Sequence, residues 1–207
     1  GDVGSGVSRF LLRNDETYFY AHDQVLSYGL WQTDGTEGAT SLVVPNVFPT
    51  EVLGKIGTEF YFFNNDGING TELWKTDFTE GGTVMVKDIN AGSASSYPSS
   101  SNDRNSLIIN NKLFFIANTA TSGAELWVSD GTEVGTMMVK DIRSGSTGSS
   151  PGGFVAGTSS LYFFANDGTN GRELWTSDGT DAGTYLVKNL VAGASGQTIN
   201  SGHFQGD

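Results

Sequence analysis

Paired side-chain oxygens are the groups in this chain whose type and spacing could do chemistry. Asp66-Gly67-Ile68-Asn69-Gly70 and Asp167-Gly168-Thr169-Asn170-Gly171 each place a carboxylate and an amide close together, which is what a hard cation such as Ca²⁺ binds. Neither run has the dense oxygen spacing of an EF-hand loop, and a tight hairpin needs the same Asx and Gly residues merely to turn. Turn chemistry is the first reading of Asp66, Asn69, Asp167 and Asn170, calcium the second, and no other cofactor is expected. Pairs of acids also serve glycoside cleavage when two carboxylates stand at the correct separation. A catalytic pair should break a repeat, however, and most acids here obey one. His22 and His203 are the only histidines, too few for a multi-histidine metal centre within one chain. No Gly-rich phosphate loop stands between a strand and a helix, and no nucleophile elbow occurs in a suitable α/β setting. The chain is not expected to be an enzyme.

The elements that must position these groups come in four copies of one pattern. Trp31, Trp74, Trp127 and Trp175 are 43, 53 and 48 residues apart. Three residues after each stands Asp34, Asp77, Asp130 or Asp178, nine after it Thr40, Thr83, Thr136 or Thr184, and twelve after it Val43, Val86, Val139 or Val187. Length changes fall only between the copies, so each copy is one rigid supersecondary unit. Exposed indoles could stack on sugar rings, but a Trp held in register in every copy suits the wedge between neighbouring units, where a large aromatic buries much area. The Asp after each Trp is expected to cap amides of the following turn.

Within the last copy, Phe154–Gly157, Leu161–Ala165, Glu173–Thr176 and Tyr185–Lys188 read as four short strands separated by Gly, Asn and Asp turns. The second strand of each copy, such as Phe60-Tyr61-Phe62-Phe63 or Leu161-Tyr162-Phe163-Phe164, is apolar throughout, as expected of a strand covered on both faces. Four-stranded units of this length, each sandwiched between neighbours, predict an all-β fold, a β-propeller of four blades. The repeats span about 7–45, 50–90, 104–143 and 152–190 of a single domain covering 1–207. Residues 191–207, with His203-Phe204, read as a closing tail or the opening of a further repeat, so a four-bladed ring and a piece of a larger propeller are both open.

The strings Glu125-Leu126-Trp127-Val128-Ser129-Asp130-Gly131-Thr132 and Glu173-Leu174-Trp175-Thr176-Ser177-Asp178-Gly179-Thr180, followed by Val139-Lys140-Asp141-Ile142 and Val187-Lys188-Asn189-Leu190, resemble the ELWxxDGT repeat family of bacterial proteins. The resemblance covers nearly the whole chain. It implies a propeller-like fold and a secreted or surface protein of a Gram-negative bacterium, and brings no established activity with it. The first copy departs from the pattern at Tyr28-Gly29 and Val44-Pro45, and the second has Phe78 where Gly is expected.

With 11 basic and 23 acidic residues the net charge is −12, which repels phosphate backbones and anionic lipid; nucleic acid is not an expected partner. There is no cysteine, so disulfides and thiolate metal sites are excluded. No apolar run approaches the ~18 to 20 residues of a membrane-spanning helix, and the chain is not expected to span a membrane. An extracellular, cell-surface or periplasmic location agrees with this composition. Function is expected in material that does not repeat. The longest connection, Asn90 to Asn105, combines Tyr97, Asp103 and Arg104 in a Ser-rich loop of the kind that binds through one aromatic and adaptable polar groups; a solvated connector is the other reading. Two functional classes follow. One is a non-catalytic recognition or adhesion module for glycan or protein; the other is a structural subunit of a surface or membrane-associated assembly, with self-association among its contacts.

Overall fold

The computed structural model describes residues 8–13, 16–23, 27–98 and 106–190. They form sixteen strands in four antiparallel sheets of four, each sheet built from strands consecutive in the chain. Blade 1 comprises β1 (Ser8–Arg13), β2 (Glu16–Asp23), β3 (Ser27–Thr33) and β4 (Ser41–Pro45); blade 2 comprises β5 (Glu51–Ile56), β6 (Glu59–Asn65), β7 (Thr71–Thr76) and β8 (Val84–Lys87). Blade 3 comprises β9 (Ser106–Ile109), β10 (Lys112–Thr119), β11 (Gly123–Ser129) and β12 (Met137–Lys140); blade 4 comprises β13 (Gly152–Ala156), β14 (Leu161–Asn166), β15 (Arg172–Ser177) and β16 (Tyr185–Lys188). The fold is a β-propeller, as the repeat requires.

The first strands lie beside one another, β5 against β9 and β9 against β13, and the Ser106 hydroxyl donates to the Leu53 carbonyl at 2.9 Å. Successive blades stack through apolar faces. Because side chains alternate across a strand, every blade offers one apolar stripe to the blade before it and another to the blade after it. Tyr61, Phe63 and Leu73 of blade 2 meet Leu113, Phe115 and Trp127 of blade 3; Phe114, Ile116 and Leu126 of blade 3 meet Leu161, Phe163 and Trp175 of blade 4. This double coverage is why the second strands are apolar without alternation.

The tryptophans hold equivalent places. Each stands opposite a phenylalanine of the second strand: Phe19 with Trp31, Phe62 with Trp74, Phe115 with Trp127 and Phe163 with Trp175. In every blade the pairing with the fourth strand slips between the conserved-register Leu and the Trp, a bulge that re-aims the indole. Trp127 and Trp175 are buried, Trp31 and Trp74 half-buried, and the indole N–H of all four is buried without a protein partner. Ring packing rather than a polar contact holds them.

Candidate recognition rim

Strand order divides the loops between two rims. The turns from first to second and from third to fourth strand share one rim; the turns from second to third strand and the connectors between blades share the other.

On the first rim the Asp after each Trp is consumed by its own turn. Asp130 Oδ1 accepts from the Thr132 N–H (2.9 Å) and the Thr132 hydroxyl (2.7 Å). Asp34, Asp77 and Asp178 repeat this with Thr36, Thr79 and Thr180. The Thr hydroxyl first, then its amide, holds these carboxyls below their ordinary value. Beneath each Asp a hydroxyl pair, such as Ser129 with Thr136 at 2.7 Å, closes the loop. In blades 2, 3 and 4 the residue following the Asp then lies against the preceding blade. At Gly131, φ is +91° and a Cβ would stand 2.1 Å from the Tyr61 hydroxyl, so glycine is required on both counts. Phe78 occupies the corresponding place in blade 2 with φ +68°. Its buried ring lies 4.2 Å from Tyr18 and 5.1 Å from Phe60, centroid to centroid, and Arg13 sits over its face. Aromatic packing there offsets a backbone conformation that L-residues avoid.

On the second rim Asp66 Oδ1 accepts from the amides of Ile68 (2.9 Å) and Asn69 (2.7 Å), and Oδ2 from the Asn69 side-chain amide (2.7 Å). Asp167 does the same with Thr169 and Asn170, and Asn170 Oδ1 accepts from the Asn189 side chain. Burial would raise both carboxyls, and the donated hydrogen bonds outweigh it and lower them. The residues that the sequence offered to calcium are thus turn partners in two pairs, Asp66 with Asn69 and Asp167 with Asn170.

Three buried glutamates govern the connectors, and sequence reasoning did not single them out. Glu125 Oε1 accepts from the amides of Arg143 (3.1 Å) and Ser149 (2.8 Å), and Oε2 from the Ser149 hydroxyl. Glu72 accepts from Ile89 (2.8 Å) and Ser96 (3.0 Å) in the same way, and Glu173 from Leu190 (3.2 Å). Burial pushes the carboxyls of Glu72 and Glu125 up against these lowering hydrogen bonds. The signal was present in the Glu-Leu-Trp string of three copies, but the donors lie far along the chain.

Blade 1 has Gly29 at the glutamate position, and a Cβ there would stand 2.3 Å from Leu42 and 2.7 Å from the Val44 carbonyl. Its connector is correspondingly apolar: Val47 is buried in the blade 1 to blade 2 core and Phe48 packs beside it, with the Phe48 N–H donating to Asn64 Oδ1 at 3.0 Å. The same departure brings an aromatic group to the rim. Tyr28, where the other blades have Thr71, Ala124 and Arg172, is exposed. Its ring lies 4.5 Å from that of His22 and 4.5 Å from that of Phe48.

Tyr97, expected as the aromatic anchor of a binding loop, is half-buried, its ring edge-on to Phe63 at 5.4 Å and packed on the blade 2 to blade 3 core. Asp103 and Arg104, like the segment 191–207, lie outside the described residues.

No protein-family model and no curated protein matches the chain. Solved structures do. Puromycin hydrolase aligns at TM-score 0.54 and 14% identity over 87% of this chain and 28% of its own length. A mutant of puromycin hydrolase complexed with PGG aligns at 0.53 and 12% identity, with the same coverage, and a structure from a study of two prolyl endopeptidases at 0.50 and 13%, over 88% of this chain and 26% of that one. The chain spans about a quarter of the length of these structures. At such identities the likeness is one of fold, a β-propeller.

Proposed function

We propose that the chain is a non-catalytic recognition module of the ELWxxDGT repeat type, acting outside the cytoplasm and binding glycan or protein through the connector rim. The observation that supports this reading most is the His22, Tyr28 and Phe48 group. It is aromatic, exposed at Tyr28, placed on the rim, and confined to the blade that breaks the repeat. A rigid aromatic supplies contact area at small entropic cost and stacks on apolar sugar faces. The acids that recur from blade to blade point the same way, because their oxygens already accept the hydrogen bonds of turns and connectors.

A glycan array followed by titration of each hit against wild type, Tyr28→Ala and Tyr97→Ala tests the proposal. Binding lost in Tyr28→Ala with an unchanged melting temperature is the expected result. Tyr97→Ala is expected to lower the melting temperature through lost packing on Phe63 while leaving affinity intact. Retained binding in Tyr28→Ala, or no binding to any glycan or extracellular protein presented, overturns it.

A further inference from the structure

Two departures from the repeat meet on one hairpin turn of blade 4. In blade 2 the residue after Ile89 is Asn90, and its side chain pins the connector: Nδ2 donates to the Ser95 carbonyl at 3.0 Å, and Oδ1 accepts from the Ala120 N–H at 3.1 Å. Blade 3 has Arg143 at that place, after Ile142. Its side chain lies along the next blade's turn instead, where a Cβ on Gly168 would stand 3.2 Å from Nε. Arg172 is the second departure, at the position held by Thr71 in blade 2 and Ala124 in blade 3. It pairs with Asn166 across the same hairpin, and its Nη1 donates to the Ser150 carbonyl of the blade 3 to blade 4 connector at 2.6 Å. Both guanidinium groups therefore border the place where that connector meets the turn 166–172.

The chain has 23 acidic and 11 basic residues, yet neither arginine is paired with an acid. Among the described residues the ion pairs are Lys75 with Glu59 and Lys140 with Asp181. The acids of the segments 141–152 and 166–172 are Asp141, which is exposed, and Asp167, whose oxygens accept from the Thr169 and Asn170 amides and the Asn170 side chain. The unbonded nitrogens of both arginines are open to solvent. Each fork is also held in place, Arg143 by its stem on Gly168 and Arg172 by the Ser150 carbonyl. A planar fork fixed beforehand loses little entropy when it takes an oxyanion. Arg172 is half-buried, and an anion would offset the cost of burying its charge.

We propose that Arg143 and Arg172 form a binding site for a glycan bearing one anionic group, a carboxylate or a sulfate, with the arginine forks holding that group and the surrounding hydroxyls holding the sugar. The surroundings set the class of ligand. Ser146, Thr147, Ser150 and Thr169 of these two segments are exposed, whereas none of the exposed large hydrophobic residues lies in 141–152 or 166–172. A protein partner needs apolar anchors at the centre of its contact; a sugar is met by hydroxyls and amides. A single anionic group also fits the charge. The net charge of −12 opposes a polyanion along its length, but charges more than about 8 Å away are screened at physiological ionic strength, and the local arginines then dominate. The site rests on reading the connector rim as a glycan-binding face. It occupies in blade 4 the repeat position that Tyr28 occupies in blade 1.

Titration calorimetry with three tetrasaccharides tests this: one ending in glucuronic acid, the same compound as its methyl ester, and a neutral counterpart carrying one sulfate. Binding of either acidic form supports the site, the tighter one naming the anion, and the methyl ester is expected to bind about tenfold more weakly or worse. Arg143→Ala should cause the same loss at an unchanged melting temperature, because its side chain holds no hydrogen bond among the described residues. Arg172→Lys keeps a donor for the Ser150 carbonyl and loses the fork, so it should weaken the acidic forms while remaining folded. Tyr28→Ala separates the two readings of the rim. Acidic binding that survives Tyr28→Ala and fails in Arg143→Ala supports this site, whatever becomes of the aromatic group. Loss in Tyr28→Ala with full binding in both arginine variants overturns it and leaves the aromatic site standing. Equal affinity for the acid and its methyl ester, or no binding of either acidic form, also overturns it.

Discussion

Blade 3 and blade 1 share strand order, Trp register and the capped turn after the Trp, yet they are attached to their neighbours by opposite means. In blade 3 a buried carboxylate, Glu125, gathers amides and a hydroxyl from the connector. In blade 1 Gly29 stands in its place, and Val47 and Phe48 bury the connector instead. The two solutions are each internally consistent. A buried charge is tolerated only where donors converge on it, so loss of the glutamate and loss of the polar connector go together. The apolar solution keeps the Phe48 N–H bond to Asn64 Oδ1 but has no carboxylate gathering its connector, and that is where the exposed aromatic group lies.

The largest effect expected from this contrast lies in the stripe facing the preceding blade. Phe115→Ala, within the blade 2 to blade 3 core, should destabilise by about 3–5 kcal/mol, the range for truncating a buried aromatic. Phe19→Ala, at the same register in blade 1 and only half-buried, should cost well under half as much in urea unfolding. Equal losses would mean that the blade 1 face is as covered as the others.

Next is the carboxylate. Glu125→Ala leaves the amides of Arg143 and Ser149 and the Ser149 hydroxyl without their acceptor, and should cost about 2–3 kcal/mol at neutral pH. Its pH dependence has a definite sign. The folded Glu125 carboxyl lies above its ordinary value of 4.5 because it is buried, so the folded state holds the proton more tightly than the unfolded chain. The stability contributed by that proton is full below the unfolded value and is lost as pH rises from there through the folded value. Glu125→Gln should therefore flatten the decline of urea midpoint between acid and neutral pH. An unchanged profile would remove burial as the cause. Gly29→Glu, the reciprocal change, introduces a carboxylate without donors and a Cβ against Leu42 and Val44; it should lower stability and not rescue it.

The smallest effect belongs to the feature both blades share. Asp130→Ala loses two hydrogen bonds within an exposed turn, a loss of about 1 kcal/mol by analogy with helix-cap deletions. Melting scans with and without calcium should show the same decrement. A calcium-dependent rise in melting temperature abolished by the substitution would instead identify a metal site in the turn.

What the chain announces locally was legible from its residues. Strand lengths, the Gly and Asn turns, the Asp caps and the four-unit division all depend on hydrogen bonds between residues a few positions apart, so spacing alone reveals them. Two-sided burial of the second strands was readable because continuous apolar runs have no other stable use in a propeller. Phe78 stood out as a departure, but only the neighbouring Tyr18 and Phe60 show why a bulky residue holds a left-handed conformation there.

The rest was decided by tertiary structure, because it depends on which distant residues come together. Glu125 and Ser149 are 24 positions apart, and nothing in the Glu-Leu-Trp string says whether the carboxylate faces solvent or a connector. Tyr97 lies in a loop, as its Ser-rich surroundings indicate, but only the folded chain shows Phe63 against its ring. His22, Tyr28 and Phe48 become one group only when the blade 1 connector brings the Phe48 ring against Tyr28. Tyr162 and Phe114 are the same kind of residue at the same place in the repeat, yet one is exposed and the other buried. Local sequence sets backbone geometry and which side chains share a face; only what packs against that face decides whether it is core or surface.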